Sequence, residues 1–170
     1  MARKVLLVTT VEWTSTARYA GGFAAASWAV EALCPPGAPV TLSRYIGEWH
    51  AYRPLRALPC LRKAIDKAAP DLVVACDDRA ISHLLRLYAK ELDAHGEQSA
   101  IVALMRRSFG TPENFAEMMS RAGSMQTSAK IGIRTPETVA VTTEQELDDC
   151  LSRFGLPAVL KVDGSWGGDG

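Results

Sequence analysis

A chain of 170 residues, 48% hydrophobic, with 19 basic and 19 acidic side chains and no net charge, has room for one large or two small soluble domains with an ordinary core. Arg62-Lys63 and Arg106-Arg107 are isolated basic doublets with no interleaved aromatics, which excludes nucleic acid as the expected partner, and no apolar run approaches membrane-spanning length. Cys34, Cys60, Cys76 and Cys150 stand far apart, without a Cys-x-x-Cys pair or a histidine at zinc-finger spacing; neither a disulfide framework nor a structural metal is expected, and a reducing cytoplasm is the expected compartment.

Met1-Ala2-Arg3-Lys4 is basic, but the Val5-Leu6-Leu7-Val8 run that follows is too short for a signal-peptide core, so Lys4 to Thr10 is read as the first strand. Thr16 to about Ser27 is an alanine-rich helix whose Gly21-Gly22 allows close packing on a sheet. Val30 to Cys34 is the second strand, closed by Pro35-Pro36-Gly37. Tyr45 to Tyr52 is ambiguous, with a short edge strand as one reading. Leu55 to Ala69 is a helix with Leu58, Leu61 and Ile65 on one face, stopped by Pro70. Asp71 to Cys76 is a continuous apolar run, the pattern of a central parallel strand covered on both faces, and Asp77-Asp78 sit at its carboxyl end. A helix follows near Arg79 to Leu92. His95-Gly96 and Phe109-Gly110-Thr111-Pro112 are the clearest breaks, and the domain boundary is placed near Gly110. Residues 1–110 are thus expected to form an α/β unit with a parallel sheet, the second strand and the Asp71 to Cys76 strand flanking the first or lying on one side of it.

Two constellations in this unit could carry chemistry. Between the first strand and first helix lie Thr10, Trp13, Thr14 and Ser15. Hydroxyls at a helix N-terminus favour an anionic substrate group, but Thr14 or Ser15 as a plain N-cap accounts for the same residues. Asp77, Asp78, Arg79 and His83 lie at the carboxyl end of the later strand, where open α/β sheets bind ligands. Asp78 as a helix cap, and His83 as a packed histidine beside Leu84 and Leu85, are the alternatives. His50 and His95 have no partner visible in the sequence.

Residues 111–170 carry sharper punctuation. Gly132-Ile133-Arg134-Thr135-Pro136 ends a helix and leads through a proline turn into a short strand at Thr138 to Val141. Thr143 and Glu146 have capping-box spacing at the start of a helix with Leu147, Leu151 and Phe154 on one face, stopped by Gly155 and Pro157. An apolar strand, Pro157-Ala158-Val159-Leu160-Lys161-Val162-Asp163, then enters Gly164-Ser165-Trp166-Gly167-Gly168-Asp169-Gly170. A glycine-rich turn after a strand lets backbone N–H groups approach phosphate oxygens, with a lysine beside them. No P-loop pattern occurs, and no Gly-x-Gly-x-x-Gly follows the first strand.

This order of elements resembles the opening of the ATP-grasp ligase domain over roughly Glu113 to Gly170. The resemblance implies that Lys161 contacts the nucleotide and that Gly164, Ser165, Trp166, Gly167, Gly168 and Gly170 belong to the loop over the phosphates. The family usually has a lysine eleven residues before the glycine of its turn; here Arg121 stands at that position, keeping the charge without being interchangeable. Lys130, near the helix end, is read as a surface residue complementing the dipole.

By the same resemblance, residues 1–110 are a Rossmann-like pre-ATP-grasp domain and 111–170 the incomplete first subdomain of an ATP-grasp fold. ATP and Mg²⁺ are then the implied cofactors, the metal ligands being expected in a later lobe, and a small carboxylate is the substrate, activated as an acylphosphate for attack by an amine or other nucleophile. The group resembling carbamoyl-phosphate synthase and biotin carboxylase is the nearest implied one. This portion alone is expected to be inactive. Another nucleotide-binding α/β module, or a non-catalytic interaction domain, remains the alternative.

Overall fold

The computed structural model describes residues 2–161. The chain divides into two compact units, the first ending at Phe115 and the second starting at Ala116.

The first unit is α/β and Rossmann-like. Strands β1 (Lys4–Val8), β2 (Ala29–Cys34), β3 (Ile46–Ala51) and β4 (Leu72–Ala75) form one sheet in the order β3-β2-β1-β4, and every neighbouring pair is parallel. As anticipated, β2 and β4 flank β1. Helix α1 (Thr14–Ala25) follows β1, α2 (Ala57–Ala68) joins β3 to β4, and α3 (Asp78–His95) and α4 (Ala100–Phe109) complete the unit.

Alternation along the strands decides which helix covers which face. Val5, Leu7, Val30, Ala32 and Cys34 share a core with Ala20 of α1 and with Val40 in the Pro39–Leu42 turn. Leu6, Val8 and Leu33 project to the opposite side, where α2 packs on β1, β2 and β3. Gly21 lies under the ring of Tyr45, at a distance that would put an added Cβ 3.3 Å from it; close approach, rather than helix propensity, explains this glycine. Helix α3 begins at a side-chain cap from Asp77 and ends at Gly96, where φ is +65°, a conformation that favours glycine.

One expectation about the sheet is corrected. The Asp71 to Cys76 run forms β4, which lies at the edge and not in the centre; β1 and β2 are the inner strands. Its apolar character comes from helices: α3 and α4 both pack on β4. Helix α4 was not anticipated, and it closes that edge. Ser108 Oγ accepts from the Val73 N–H at 3.0 Å, and Arg107 Nε donates to the Asp71 carbonyl at 2.7 Å.

The second unit contains α5 (Arg121–Lys130) and α6 (Glu144–Phe154). The Thr143–Glu146 capping box is present in full, and Gly155 ends α6 with φ +71°. The two strands expected here are not formed among the described residues: 138–141 and 158–161 run without a ladder. A strand exists only with a partner, and alternating apolar residues cannot supply one. No described residue of this unit is buried.

Candidate functional site

In the order β3-β2-β1-β4 the chain moves from β1 to one side and later crosses to the other, so the carboxyl ends of β1 and β4 border the point where the connections diverge. Open α/β sheets place ligands in such a crevice. Two of the residue groups picked from the sequence meet there, through Thr10 and Asp77.

Asp77 is buried and accepts four hydrogen bonds. Its Oδ1 takes the Thr10 hydroxyl and the Ala80 N–H, each at 2.8 Å. Its Oδ2 takes the Thr10 N–H at 2.6 Å and the Thr9 hydroxyl at 3.0 Å. One carboxylate therefore caps α3 and ties the β1–α1 loop to it. Asp77, and not Asp78, is the cap; Asp78 is half-buried in the first turn of α3, where its charge complements the helix dipole. Thr9 escaped notice in the sequence, although two adjacent threonines at a strand end followed by a distant Asp-Asp pair were the available signal.

Neither Thr14 nor Ser15 caps α1. The cap position is Trp13, which makes no side-chain cap bond, and the first turn holds no acidic residue. The leading N–H groups of α1 thus present a positive helix end at the mouth of the crevice. Trp13 and Ser15 are half-buried and Thr14 is exposed beside them. Cys76 also lies here, but burial pushes its thiol up to about 12, which makes it a poor nucleophile at neutral pH.

A second polar group stands at the same end of the sheet. Tyr52, just past β3, is buried and its hydroxyl lies 3.1 Å from His83 Nε2. Burial, then Arg86 and Arg79, hold the His83 imidazole below its usual value against the pull of Asp77. His83 Nδ1 is buried without a hydrogen-bond partner. The sequence did not show this pairing, because Tyr52 falls in the segment whose structure was ambiguous.

His50 and Glu31 form a third arrangement across the sheet. Glu31 Oε1 meets Lys4 Nζ at 2.8 Å and Oε2 meets His50 Nε2 at 2.9 Å. Burial raises the Glu31 carboxyl, but the hydrogen bonds from Lys4 and His50 outweigh it and leave the group below its usual range. This link spans β1, β2 and β3, so its role is to hold strands together. Glu91 does similar work on α3, fully buried, paired with Arg62 and accepting from Ser99 at 3.2 Å. His95 is the last residue of α3.

In the second unit, Arg121 is the first residue of α5, half-buried, at the helix end that repels cations. Lys130 closes the same helix and is exposed. Lys161 is exposed and outside any strand. Gly164, Ser165, Trp166, Gly167, Gly168 and Gly170 lie outside the described residues. Among the described residues, no group of three or more His, Cys, Asp and Glu side chains could hold a metal ion, and no helix is long and apolar enough to cross a membrane. Shallow hollows of about 520 and 510 Å³ occur at Arg62–Lys67 on α2 and beside Arg106 and Pro112, away from the carboxyl ends of the strands.

No family model matches the chain, and no curated protein matches it.

Proposed function

We propose that this chain is the N-terminal part of an ATP-dependent ligase of the ATP-grasp type. In this reading the Rossmann-like unit binds a small carboxylate, and the following segment begins the nucleotide-binding domain. The observation that carries the reading is the order of signals from Gly132-Ile133-Arg134-Thr135-Pro136, through the capped helix α6, to Lys161 and the glycine-rich run ending at Gly170. Gly132 and Gly155, with φ of +83° and +71°, stand where a side chain would be strained, in keeping with fixed turns between these elements.

The chemistry of the donors suits a polyphosphate. Lys161 and Arg121 supply positive charge, and the glycine N–H groups can approach oxygens closely. When bound, ATP would supply the phosphoryl group that activates the carboxylate. Mg²⁺ would need carboxylate ligands beyond those described. In the first unit, the uncapped start of α1 would receive the anionic end of the substrate, while the Asp77 clamp holds the loop that carries Thr10 and Trp13 in position.

The test is made on the full-length gene product with nucleotide binding and carboxylate-dependent phosphate release as readouts. Lys161→Ala should weaken ATP binding by about ten- to a hundredfold, through loss of a charge-assisted contact, and Arg121→Lys should have a smaller effect. The 170-residue chain alone should release no phosphate above background. Unchanged affinity and turnover in Lys161→Ala would reduce the lysine to a solvated residue and sink the reading.

A further inference from the structure

Between the buried Tyr52 after β3 and the buried Ala57 that starts α2, the residues Arg53 to Arg56 are all exposed. Within this turn the Arg56 N–H donates to the Arg53 carbonyl at 2.9 Å. Tyr52 fastens its near end in two ways. The Tyr52 N–H donates to the Cys34 carbonyl at 2.8 Å, and the hydroxyl lies 3.1 Å from His83 Nε2 in the second turn of α3. The first bond holds the backbone to the sheet. The second ties the turn to a helix that starts after β4, at the opposite edge.

The pair suits a neutral imidazole and not a charged one. When neutral, the ring and the phenol share a hydrogen between Nε2 and Oη; burial, against the pull of Arg79, keeps the Tyr52 hydroxyl above its ordinary range, so the phenol stays protonated near neutral pH. A second proton on the ring puts hydrogens on both nitrogens. Nδ1 is buried with no hydrogen-bond partner, so the charged form carries a buried donor without an acceptor. The surroundings do not compensate. Arg79 and Arg86 lie one helical turn before and after His83 on the same face of α3, and both oppose its charge. Asp77 favours it, but that carboxylate already accepts four hydrogen bonds. From α2 the Cys60 thiol acts on Tyr52, while Arg62 of α2 and Arg106 of α4 meet α3 further along, at Glu91 and Tyr88.

We propose that Tyr52 and His83 form a proton-operated latch on the turn between β3 and α2: the neutral imidazole fastens the turn to α3, and the imidazolium swings to solvent and releases it. His83 is half-buried, so the charged ring reaches water by side-chain rotation with α3 intact. The Tyr52 hydroxyl then loses its partner, and the exposed Arg53 to Arg56 segment is left with the Cys34 bond at its start. Acid thereby loosens the β3 side of the carboxyl end of the sheet. The proposal is independent of the nucleotide reading.

The experiment is amide exchange of the 170-residue chain at about pH 7.5 and about pH 5.5, corrected for intrinsic rates and repeated in low, sub-denaturing urea. A released imidazole has the ordinary value of 6.5, so the open form should gain about tenfold over this interval, and protection of the Tyr52 amide should fall by the same factor. Because the turn opens locally, that exchange should not respond to urea, whereas exchange at Leu7 of β1, which needs the unit to unfold, should. His83→Gln keeps a donor in reach of the Tyr52 oxygen and cannot titrate, so it should abolish the pH response. Tyr52→Phe keeps the buried ring and cuts the bond; position 52 should then exchange faster at about pH 7.5, with no further gain in acid. A Tyr52 amide equally protected at both pH values, a pH response retained in either variant, or a urea dependence at Tyr52 equal to that at Leu7 would each overturn the proposal.

Discussion

Helices α3 and α6 are both amphipathic and both capped by a side chain, yet Leu84 and Leu87 of α3 are buried whereas no residue of α6 is. The first unit closes a core around its sheet; the described part of the second has capped helices and nothing to bury them against. Local signals are satisfied within a few residues, and burial is not. A capping box contributes about 1 kcal/mol wherever it occurs, while an apolar face contributes only where another element meets it.

The sharpest way to break this contrast is a pair of truncations. Leu84→Ala should cost about 3–5 kcal/mol in urea unfolding of the first unit, as for a fully buried leucine. Leu151→Ala in α6 should cost about 1 kcal/mol or less. Equal costs would mean that the second unit has a core of its own. Next in size is Asp77→Ala, which strands the N–H groups of Thr10 and Ala80 and the Thr10 hydroxyl, while the Thr9 hydroxyl keeps the Val11 carbonyl as acceptor, and should destabilise the first unit by about 3 kcal/mol.

Acid should act mainly on the first unit. The His83 imidazole is lowered by burial and by Arg86 and Arg79, so it is neutral in the fold. Stability is then fully present above its ordinary value of 6.5 and is lost as pH falls below it. Glu31, also lowered on balance, adds a loss that begins as pH falls through its ordinary value of 4.5. Urea midpoints should hold from neutral pH to about 6.5, fall as pH drops below it, and fall again below about 4.5, and His83→Phe should flatten the upper step. An unchanged slope in that variant would remove His83 as its source. The smallest effect is Thr143→Ala, which should loosen α6 by about 1 kcal/mol, read as faster amide exchange in that helix with the unfolding midpoint of the first unit unmoved.

The strand runs Val5 to Val8 and Val30 to Cys34 were legible because buried parallel strands need unbroken apolar sequence, and the helices around Leu61 and Leu84 because their apolar spacing is regular. The position of β4 was not legible. An apolar run fits an inner strand or an edge strand covered by a helix, and α4, which decides between them, lies more than twenty residues downstream. In the candidate site, Thr10 and Asp77 were found separately as strand-end residues. Their union depends on β1 and β4 being neighbours, a fact of topology that no spacing contains. Tyr52 with His83, and Glu31 with Lys4 and His50, are likewise contacts between distant segments. The strands expected at 138–141 and 157–163 followed from alternation alone, and alternation does not name a partner.

The Asp77 clamp has a consequence in time as well as in energy. Thr10 belongs to a connecting loop, a kind of segment whose amides ordinarily exchange with solvent through small local openings. Its N–H is instead held by a buried carboxylate that also starts α3. Exposing it requires the Thr10 N–H and hydroxyl to leave that carboxylate together. The Thr10 amide should therefore keep the slow clock of the strands, and the mouth of the crevice should meet whatever binds there already in its final shape.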